Sequence, residues 1–408
     1  MRVLLTTYPE KTFFYHLVPL AWALRTAGHE VRVACPPKFA AVVTQAGLTA
    51  VPVGSDRNFW RITETRAGGT ESMRAGIMPP YDAFDDVSKQ NLDYLQPGLT
   101  EAVRGWHRVS NFPMVAGLVE FARAWQPDLV VWEPLSQAGA IAARACGAAH
   151  ARMLWSVDLF GGVRDHYLRL GGGPDPFEEW FSGYGRKYGF EFGEDLVTGD
   201  FTLDHVPGSL QVEAELPYVR FRYVPYGGPA STPDWLQRPA GRPRIAFTMG
   251  LSATEIFGGY HLPLSDVLDA LSDVDAEVVA TATGLGPVPA NVRLVSYVPL
   301  HALAPTCAAA VHHGGLGTLA TFARAGVPQL CVPHHLDEPI FAAGLARVGA
   351  GIDLREPTAE TIRASVERLL AGSFAAGATQ LKSEMDALPS PNDIVPELED
   401  LTAKYRAR

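Results

Sequence analysis

The segment from His312 to Thr318 constrains the fold of this chain most strongly, because it reads His-His-Gly-Gly-Leu-Gly-Thr between a strand and a helix. The apolar residues 308–311 predict a buried strand, and residues 319–325 have helical composition and end at Gly326. A helix that begins with glycines exposes unpaired N–H groups at the positive end of its dipole, where phosphate oxygens bind well. The predicted phosphate contacts are His313, Gly314, Gly315, Gly317 and Thr318.

The alternative for such a turn is that its glycines serve only the packing of the strand against the helix. A glycine-rich turn by itself favours neither interpretation. Two histidines and a threonine in the same turn add side-chain hydrogen-bond donors, so the full motif favours a pyrophosphate cradle.

Strands and helices alternate along the chain in two series. Residues 2–7 and 30–34 predict strands on either side of a helix at 17–27, and a second series starts at residue 242. Alternation of this kind is typical of parallel, doubly wound sheets, so we expect an α/β fold with two Rossmann-like domains that face a central cleft. The predicted units are residues 1–217, an interdomain linker rich in proline and glycine at 218–241, residues 242–388, and a tail helix at 389–408.

Composition limits the classes of function. Hydrophobic residues make up 47% of the 408 positions and charged residues 19%, which suits two globular cores. The net charge of -10 argues against a nucleic acid or an anionic membrane as a partner. The four cysteines lack metal-ligand spacing, and no apolar run suits a signal peptide or a membrane span, so we expect a cytoplasmic protein without a metal site.

The glycine-rich motif continues into Gly326-Val327-Pro328-Gln329 and Pro333-His334-His335-Leu336-Asp337-Glu338. Together these residues resemble the donor-binding signature of GT-B glycosyltransferases that use nucleotide-sugars. Other stretches are similar to the actinobacterial branch, which attaches deoxysugars and amino sugars to macrolide, anthracycline and related cores. They are residues 1–5, 17–31, 127–135 and 390–396. The resemblance covers essentially the whole chain and implies a C-terminal helix that crosses back to the first domain.

The resemblance implies a nucleoside diphosphate leaving group, stabilised without a metal or another cofactor. It assigns the backbone of Val298 to the pyrimidine edge. The turn Gly250-Leu251-Ser252 lies just past the predicted strand that ends at Thr248 and points into the same cleft, so Ser252 is a second predicted phosphate contact. A purely structural role is the alternative for both Ser252 and Val298. Asp337 and Glu338 correspond to an acidic pair that accepts hydrogen bonds from sugar hydroxyls. Asp273-x-Asp275 looks like the metal-diphosphate motif of the other glycosyltransferase fold, but it precedes its strand, at the end away from ligands.

Inverting transfer needs a base that deprotonates the acceptor. Related enzymes usually place a histidine nine residues before the tryptophan of the first helix, and counting back from Trp22 gives Phe13. His16 lies three residues later and reaches the same region if the helix starts early, whereas the alternative is a histidine buried on the packing face. Glu133, at the cleft end of a predicted strand, and Asp337, across the cleft, are the other candidate bases.

Two irregular insertions are rich in aromatic residues, which suits a large apolar acceptor; satellite cores under long loops are the alternative. The first insertion contains Phe59, Trp60, Met73, Met78, Tyr81, Phe84, Tyr94, Trp106 and Phe112. The second contains Trp155, Phe160, His166, Tyr167, Phe177, Trp180, Phe181, Tyr184 and Tyr188.

Taken with the resemblance, the sequence predicts an inverting glycosyltransferase that moves a deoxysugar or amino sugar from a TDP-sugar to a polyketide-like or aromatic aglycone in antibiotic biosynthesis. Phe13 supports the alternative, a catalytically impaired TDP-sugar-binding homologue that acts as the partner of another glycosyltransferase. The retained pair Asp337 and Glu338 favours catalysis. A cytochrome P450-like auxiliary protein, which several members of the branch use, and a homodimer remain open as partners.

Overall fold

The computed structural model of the chain describes residues 1–56, 77–84, 86–212, 214–250 and 262–406. Two sheets form its framework. The first has the order β3-β2-β1-β4-β5-β6-β7, with β1 (Arg2–Thr6), β2 (Glu30–Cys35), β3 (Thr49–Pro52), β4 (Leu129–Trp132), β5 (Ala149–Met153), β6 (Phe201–Asp204) and β7 (Tyr218–Arg220). The second has the order β10-β9-β8-β11-β12-β13, with β8 (Arg244–Thr248), β9 (Glu277–Thr281), β10 (Val292–Val295), β11 (Ala309–His312), β12 (Gln329–Cys331) and β13 (Gly351–Asp353).

Helices connect these strands, and none of those described is long and apolar enough to cross a bilayer. The first domain contains α1 (Lys11–Thr26), α2 (Ala40–Gln45), α3 (Leu92–Ala102), α4 (Arg108–Trp125), α5 (Ala138–Cys146), α6 (Leu159–Arg169), α7 (Pro176–Tyr188) and α8 (Asp195–Thr198). The second contains α9 (Leu264–Ala270), α10 (Leu300–Leu303), α11 (Leu316–Arg324), α12 (Glu338–Arg347), α13 (Ala359–Leu370) and α14 (Ala375–Ala387), and α15 (Val395–Arg406) follows. All strand pairs are parallel, so the predicted doubly wound α/β architecture is confirmed.

Both sheets have a topological switch point. The chain runs outward from β1 through β2 to β3 and then returns to place β4 on the other side of β1; β8 and β11 have the same relation in the second sheet. Ligands of such sheets bind beyond the carboxyl ends of the strands at this point. The segments that follow β1, β4, β8 and β11 are therefore the ones positioned to line a binding cleft.

The helix predicted at 17–27 begins earlier, at Lys11. Phe14, Leu17 and Val18 are all buried against the first sheet, so the apolar face of α1 extends one turn further toward its N-terminus than the pattern suggested. As a result His16 lies within the helix, as the hypothesis of an early start requires.

The linker predicted at 218–241 starts too early, because Tyr218–Arg220 form the edge strand β7 of the first sheet. Tyr218 pairs with Thr202 and Val219 with Leu203. A three-residue strand behind a proline is too short to give an alternating pattern, which is why the sequence did not reveal it. After β7, the described regular structure before β8 is a short 3-10 turn at Asp234–Gln237.

The tail helix α15 crosses back and packs on the first domain, as predicted. Ile394, Val395 and Leu398 are buried in the same apolar cluster as the first sheet. Polar contacts fix its exposed side: Glu399 lies 3.1 Å from Nε2 of His29, and Arg406 pairs with Asp128. The last helix therefore joins the second domain to the first.

The two domains also share an apolar cluster across the cleft. Leu210 and Tyr223 from the first-domain side pack in one group with Leu316 and Phe341 from the second. Nη1 of Arg324 donates to the carbonyl of Tyr223 at 2.7 Å. This seam holds the start of α11 against the first domain.

Gly139 lets α5 pack closely on the first sheet, and this contact gives a stability prediction. A Cβ on Gly139 would lie 2.6 Å from Cβ of Trp132 and 2.8 Å from Oγ1 of Thr6. Gly139→Ala forces this interface apart and should lower the free energy of unfolding by about 1–3 kcal/mol. Denaturant titration measures the loss.

Gly183→Ala is the matched control, because Gly183 also lies within a helix but is exposed, with open space around its Cα. It should be neutral or stabilising by up to about 1 kcal/mol. Equal effects of the two substitutions would contradict the packing argument.

Candidate active site

The turn that joins β11 to α11 is shaped by the buried side chain of His312. The backbone N–H of Gly314 donates to Nδ1 of His312 at 3.0 Å, so the ring proton lies on Nε2, which donates to Oε1 of Gln329 at 2.7 Å. Burial lowers the pKa of His312 to about 4, which keeps the ring neutral. Gly314 has a φ of 102°, a conformation that favours glycine. His312 is a supporting residue that the sequence motif contained but did not single out.

The imidazole of His313 packs against the backbone of two glycines. A Cβ on Gly250 would lie 2.6 Å from Cε1 of this ring, and a Cβ on Gly315 would lie 2.5 Å from its Nε2. Gly250 follows β8 and Gly315 precedes α11, so the ring bridges the loops at the switch point of the second sheet. Only glycine at both positions leaves room for the imidazole.

The first turn of α11 lacks a side-chain cap, because its N-cap residue is Gly315. The amides of Thr318 and Leu319 donate to the carbonyl of Gly315 at 3.1 and 3.0 Å. Within the described part of the chain, the amides of Leu316 and Gly317 have no hydrogen-bond acceptor. Two donors at the positive end of the helix are therefore available to an anion.

Val298 and Tyr297 follow β10 at the same edge of the second sheet. The side chain of Val298 is buried, and its peptide N–H and C=O find no hydrogen-bond partner among the residues that the structure describes. Tyr297 is 46% exposed and its hydroxyl donates to the carbonyl of Gly227 at 3.1 Å. This geometry leaves the backbone of Val298 able to pair with a base edge. Ser252, the other predicted contact, lies outside the described residues.

Asp337 and Glu338 have different surroundings although they are adjacent. Oδ2 of Asp337 accepts a 2.5 Å hydrogen bond from Oγ of Ser156, a residue of the first domain, and burial raises the pKa of Asp337 to about 6. Oε2 of Glu338 accepts the amides of His334 and His335 at 2.8 and 2.9 Å.

The second carboxylate oxygen of Glu338 faces the turn between β11 and α11. Its Oε1 lies 4.0 Å from Nε2 of His313, and burial raises the pKa of Glu338 to about 8. Of the predicted acidic pair, Asp337 thus reaches across the cleft, whereas Glu338 holds its own loop beside His313.

Phe13 is the centre of an aromatic group that replaces the expected histidine. Its ring stacks on Trp155 with centroids 4.2 Å apart. Nε1 of Trp155 donates to Oε2 of Glu133 at 2.8 Å, and this carboxylate also accepts the amides of Tyr8 and Leu135, each at 2.9 Å. Burial raises the pKa of Glu133 to about 7. Glu133 therefore supports Trp155 and the loop after β1, with donors on both of its oxygens.

His16 lies one helical turn after Phe13 and faces the second domain. Its Nδ1 is 3.0 Å from Nε2 of His205, and its ring lies 5.8 Å from that of Tyr223. Its Nε2 would be 3.9 Å from a Cβ on Gly317 in the first turn of α11. Burial lowers the pKa of His16 to about 4. His16, predicted as a base or as a core histidine, thus approaches the first turn of α11 from across the cleft.

The aromatic insertions contribute mainly to buried clusters. Tyr81, Tyr167 and Phe181 are almost fully buried, while Phe112 is 65% exposed. The alternative of satellite cores therefore describes many of these residues, and Trp155 is the one that lies beside Phe13. Phe59, Trp60 and Met73 lie outside the described residues.

One group among the described residues has the composition of a metal site: His150, Asp195 and Asp200. Nδ1 of His150 accepts the indole N–H of Trp132 at 3.1 Å, so Nε2 carries the ring proton and faces Asp195 at 3.0 Å. The protonated nitrogen cannot be a metal ligand at the same time. This group is a hydrogen-bonded support of the first sheet.

Comparisons with known proteins show similarity over both domains. Residues 22–250 match the family described as Erythromycin biosynthesis protein CIII-like, N-terminal domain, and residues 265–401 match its C-terminal domain. The 10-deoxymethynolide desosaminyltransferase of Streptomyces venezuelae is 43% identical over 423 residues, which cover 100% of this chain and 98% of that protein. Aklavinone 7-beta-L-rhodosaminyltransferase of Streptomyces galilaeus is 43% identical over 443 residues, which cover 100% of this chain and 97% of that protein.

A solved structure extends the agreement to the arrangement of both domains. The crystal structure of glycosyltransferase VinC in complex with DTDP is 40% identical, has a TM-score of 0.88 and covers 99% of this chain and 100% of that one. The predicted two-domain fold and family are therefore confirmed. The chain belongs to the Erythromycin biosynthesis protein CIII-like family and is a nucleotide-sugar-dependent glycosyltransferase with the GT-B fold.

Proposed function

We propose that this enzyme transfers a deoxysugar or amino sugar from a TDP-sugar to a macrolide, anthracycline or related polyketide aglycone in antibiotic biosynthesis, with inversion at the anomeric carbon. The names of the relatives support this substrate class, since one is a desosaminyltransferase and another a rhodosaminyltransferase. The observation that carries the proposal is the uncapped first turn of α11, where His313 and the amides of Leu316 and Gly317 can bind the diphosphate.

The thymine base extends from this diphosphate toward Val298. The unpaired peptide groups of Val298 offer one donor and one acceptor, which match the hydrogen-bonding edge of a pyrimidine. Tyr297 stands exposed beside them and provides an apolar ring surface. Ser252 stays a predicted phosphate contact, from its place in the sequence shortly after the strand that ends at Thr248.

Asp337 is our candidate for the general base. Its carboxylate already accepts a hydrogen bond from the hydroxyl of Ser156 across the cleft, which is the geometry that an acceptor hydroxyl needs. Both oxygens of Glu133 are occupied by N–H donors of its own domain, and His16 is turned toward His205 and α11. Glu338 holds the amides of His334 and His335 beside His313. Asp337 also accepts a hydrogen bond from a sugar hydroxyl before the acceptor arrives.

Sugar transfer is a single displacement at the anomeric carbon. The acceptor oxygen attacks the anomeric carbon while its proton passes to the carboxylate of Asp337. The bond between that carbon and the β-phosphate oxygen breaks, and its electron pair remains on the phosphate to give TDP. The amides of the first turn of α11 and His313 stabilise the new negative charge. The proton on Asp337 is released to solvent after the product leaves.

The donor site is tested by Gly315→Ala. The added methyl group would occupy the position of Nε2 of His313, so the imidazole must leave its place beside the helix start. We expect TDP to bind about tenfold more weakly, a loss of about 1.4 kcal/mol, as measured by isothermal titration calorimetry. Gly183→Ala is the control for the same substitution on an exposed helix and should leave TDP affinity unchanged. Unaltered TDP affinity in both Gly315→Ala and His313→Ala would refute this donor site.

The base is tested by Asp337→Asn and by the pH profile. A base works in its deprotonated form, and burial raises the pKa of Asp337 to about 6, so kcat/KM should fall as the pH decreases through about 6. Asp337→Asn should lower kcat about 100-fold or more while TDP affinity stays within about twofold. 10-deoxymethynolide and aklavinone serve as acceptors, with TDP-desosamine and TDP-rhodosamine as donors.

Glu133→Gln is the matched carboxylate-to-amide control. It should reduce stability, because an amide cannot accept hydrogen bonds from all three donors. The fall of kcat/KM at low pH should nevertheless remain. Loss of that pH dependence in Glu133→Gln would identify Glu133 as the base instead, and a raised KM for the donor with normal kcat in Asp337→Asn would leave that residue a sugar contact only. A wild type that binds TDP but transfers no sugar to either acceptor would favour the non-catalytic partner.

A further inference from the structure

His16 and His205 form a pair of facing histidines between the first domain and the start of α11. Nδ1 of His16 and Nε2 of His205 are 3.0 Å apart, and the ring centroids are separated by 5.0 Å. His16 belongs to α1, whereas His205 follows β6, so two segments far apart in sequence meet here.

Aromatic rings and one backbone contact enclose this pair. The ring of His205 lies 5.5 Å from Phe221 and 5.5 Å from Tyr223. The hydroxyl of Tyr223 donates to the carbonyl of Gly317 at 3.2 Å, which connects the pair to the first turn of α11. The pair is therefore held at a fixed place beside the helix start.

Hydrogen bonding between two neutral imidazoles requires that one of the facing nitrogens carries the proton. Burial lowers the pKa of His16 to about 4 and that of His205 well below its ordinary value, so both rings are neutral at pH 7. If His205 donates from Nε2 to Nδ1 of His16, the proton of His16 must lie on Nε2. That nitrogen is the one directed toward Gly317, at 3.9 Å from the position of a Cβ there.

We propose that His205 is a positioning residue that donates to His16 and thereby directs Nε2–H of His16 at the diphosphate of the donor. This inference rests on the proposed function, because it takes the diphosphate to lie at the start of α11. It gives His16 a role different from that of the base: a first-domain hydrogen-bond donor to the leaving group. The diphosphate is then held by His313 and the helix amides on one side and by His16 on the other.

The pair fixes the tautomer of His16, which favours anion binding. An isolated neutral imidazole can present either a donor or an acceptor at Nε2, whereas a partner that donates to Nδ1 leaves only the donor form. A preoriented N–H loses less on binding an anionic oxygen than one that must first exchange its proton. His205 therefore contributes to TDP affinity although it has no direct contact with the ligand.

The test is a double-mutant cycle on TDP affinity, measured by calorimetry with TDP alone. His205→Met removes the donor at similar size and should weaken TDP binding about fivefold; His16→Met should weaken it about tenfold. The double variant should bind no more weakly than His16→Met, because His205 acts only through His16. His205→Gln retains an amide N–H for Nδ1 of His16 and should stay within about twofold of the wild type.

Nitrogen-15 spectra of histidine-labelled protein provide a readout that a purely structural role would not change. In the wild type with TDP bound, the His16 signals, assigned by their loss in His16→Met, should show a protonated Nε2 and an unprotonated Nδ1. In His205→Met this single tautomer should be lost.

The outcomes separate this inference from the function on which it rests. Failure of the wild type to bind TDP would overturn both. Normal binding by the wild type with additive losses in the cycle, unchanged affinity in His205→Met, or a protonated Nδ1 in the TDP-bound wild type would overturn the role of His205 and leave the donor site intact.

Discussion

The backbone amides that open α11 are the feature around which the site is organised. A helix start satisfies such amides with a capping side chain, water or a ligand, and glycine at the N-cap removes the first of these choices. The unpaired amides lie at the topological switch point of the second sheet, which is where parallel sheets bind ligands. His312 below the turn and His313 beside it then fix the backbone in a geometry that suits an anion.

Much of this arrangement could be predicted from the sequence. The glycines and histidines of 312–318 form a continuous segment, so strand, turn and helix could be located from residues adjacent in sequence. Residues 138–146 also have a helical apolar pattern that ends at a glycine, which is enough to predict α5 (Ala138–Cys146); Gly147 adopts a left-handed conformation after the helix. The early start of α1 stays an alternative at the level of the sequence because its signal comes from tertiary burial. The strand β7 is not predicted because it is a proline-flanked triplet.

Contacts between distant segments could not be predicted. The sequence places Ser156 and Asp337, or His16 and His205, in different domains or elements, and no periodicity connects them. The partners of Glu133 could not be predicted either, for the same reason. Glu133 stands at the predicted end of β4, yet the indole that it binds belongs to the loop after β5 and stacks on Phe13. The exchange of a polar group for an aromatic ring at residue 13 thus has a packing partner that only the structure reveals.

Under the proposed function, in which Asp337 contacts the sugar, the hydrogen bond between Ser156 and Asp337 bears on how the enzyme distinguishes sugars. Oδ2 of Asp337 already accepts the Ser156 hydroxyl, so a ligand hydroxyl either competes with this serine or binds the other carboxylate oxygen, and the net gain from a single such hydrogen bond is small. Selectivity at this point therefore comes from shape and from the number of groups that fit, more than from the strength of any single contact. A donor poor in hydroxyls loses little here, which suits an enzyme whose relatives handle deoxygenated sugars.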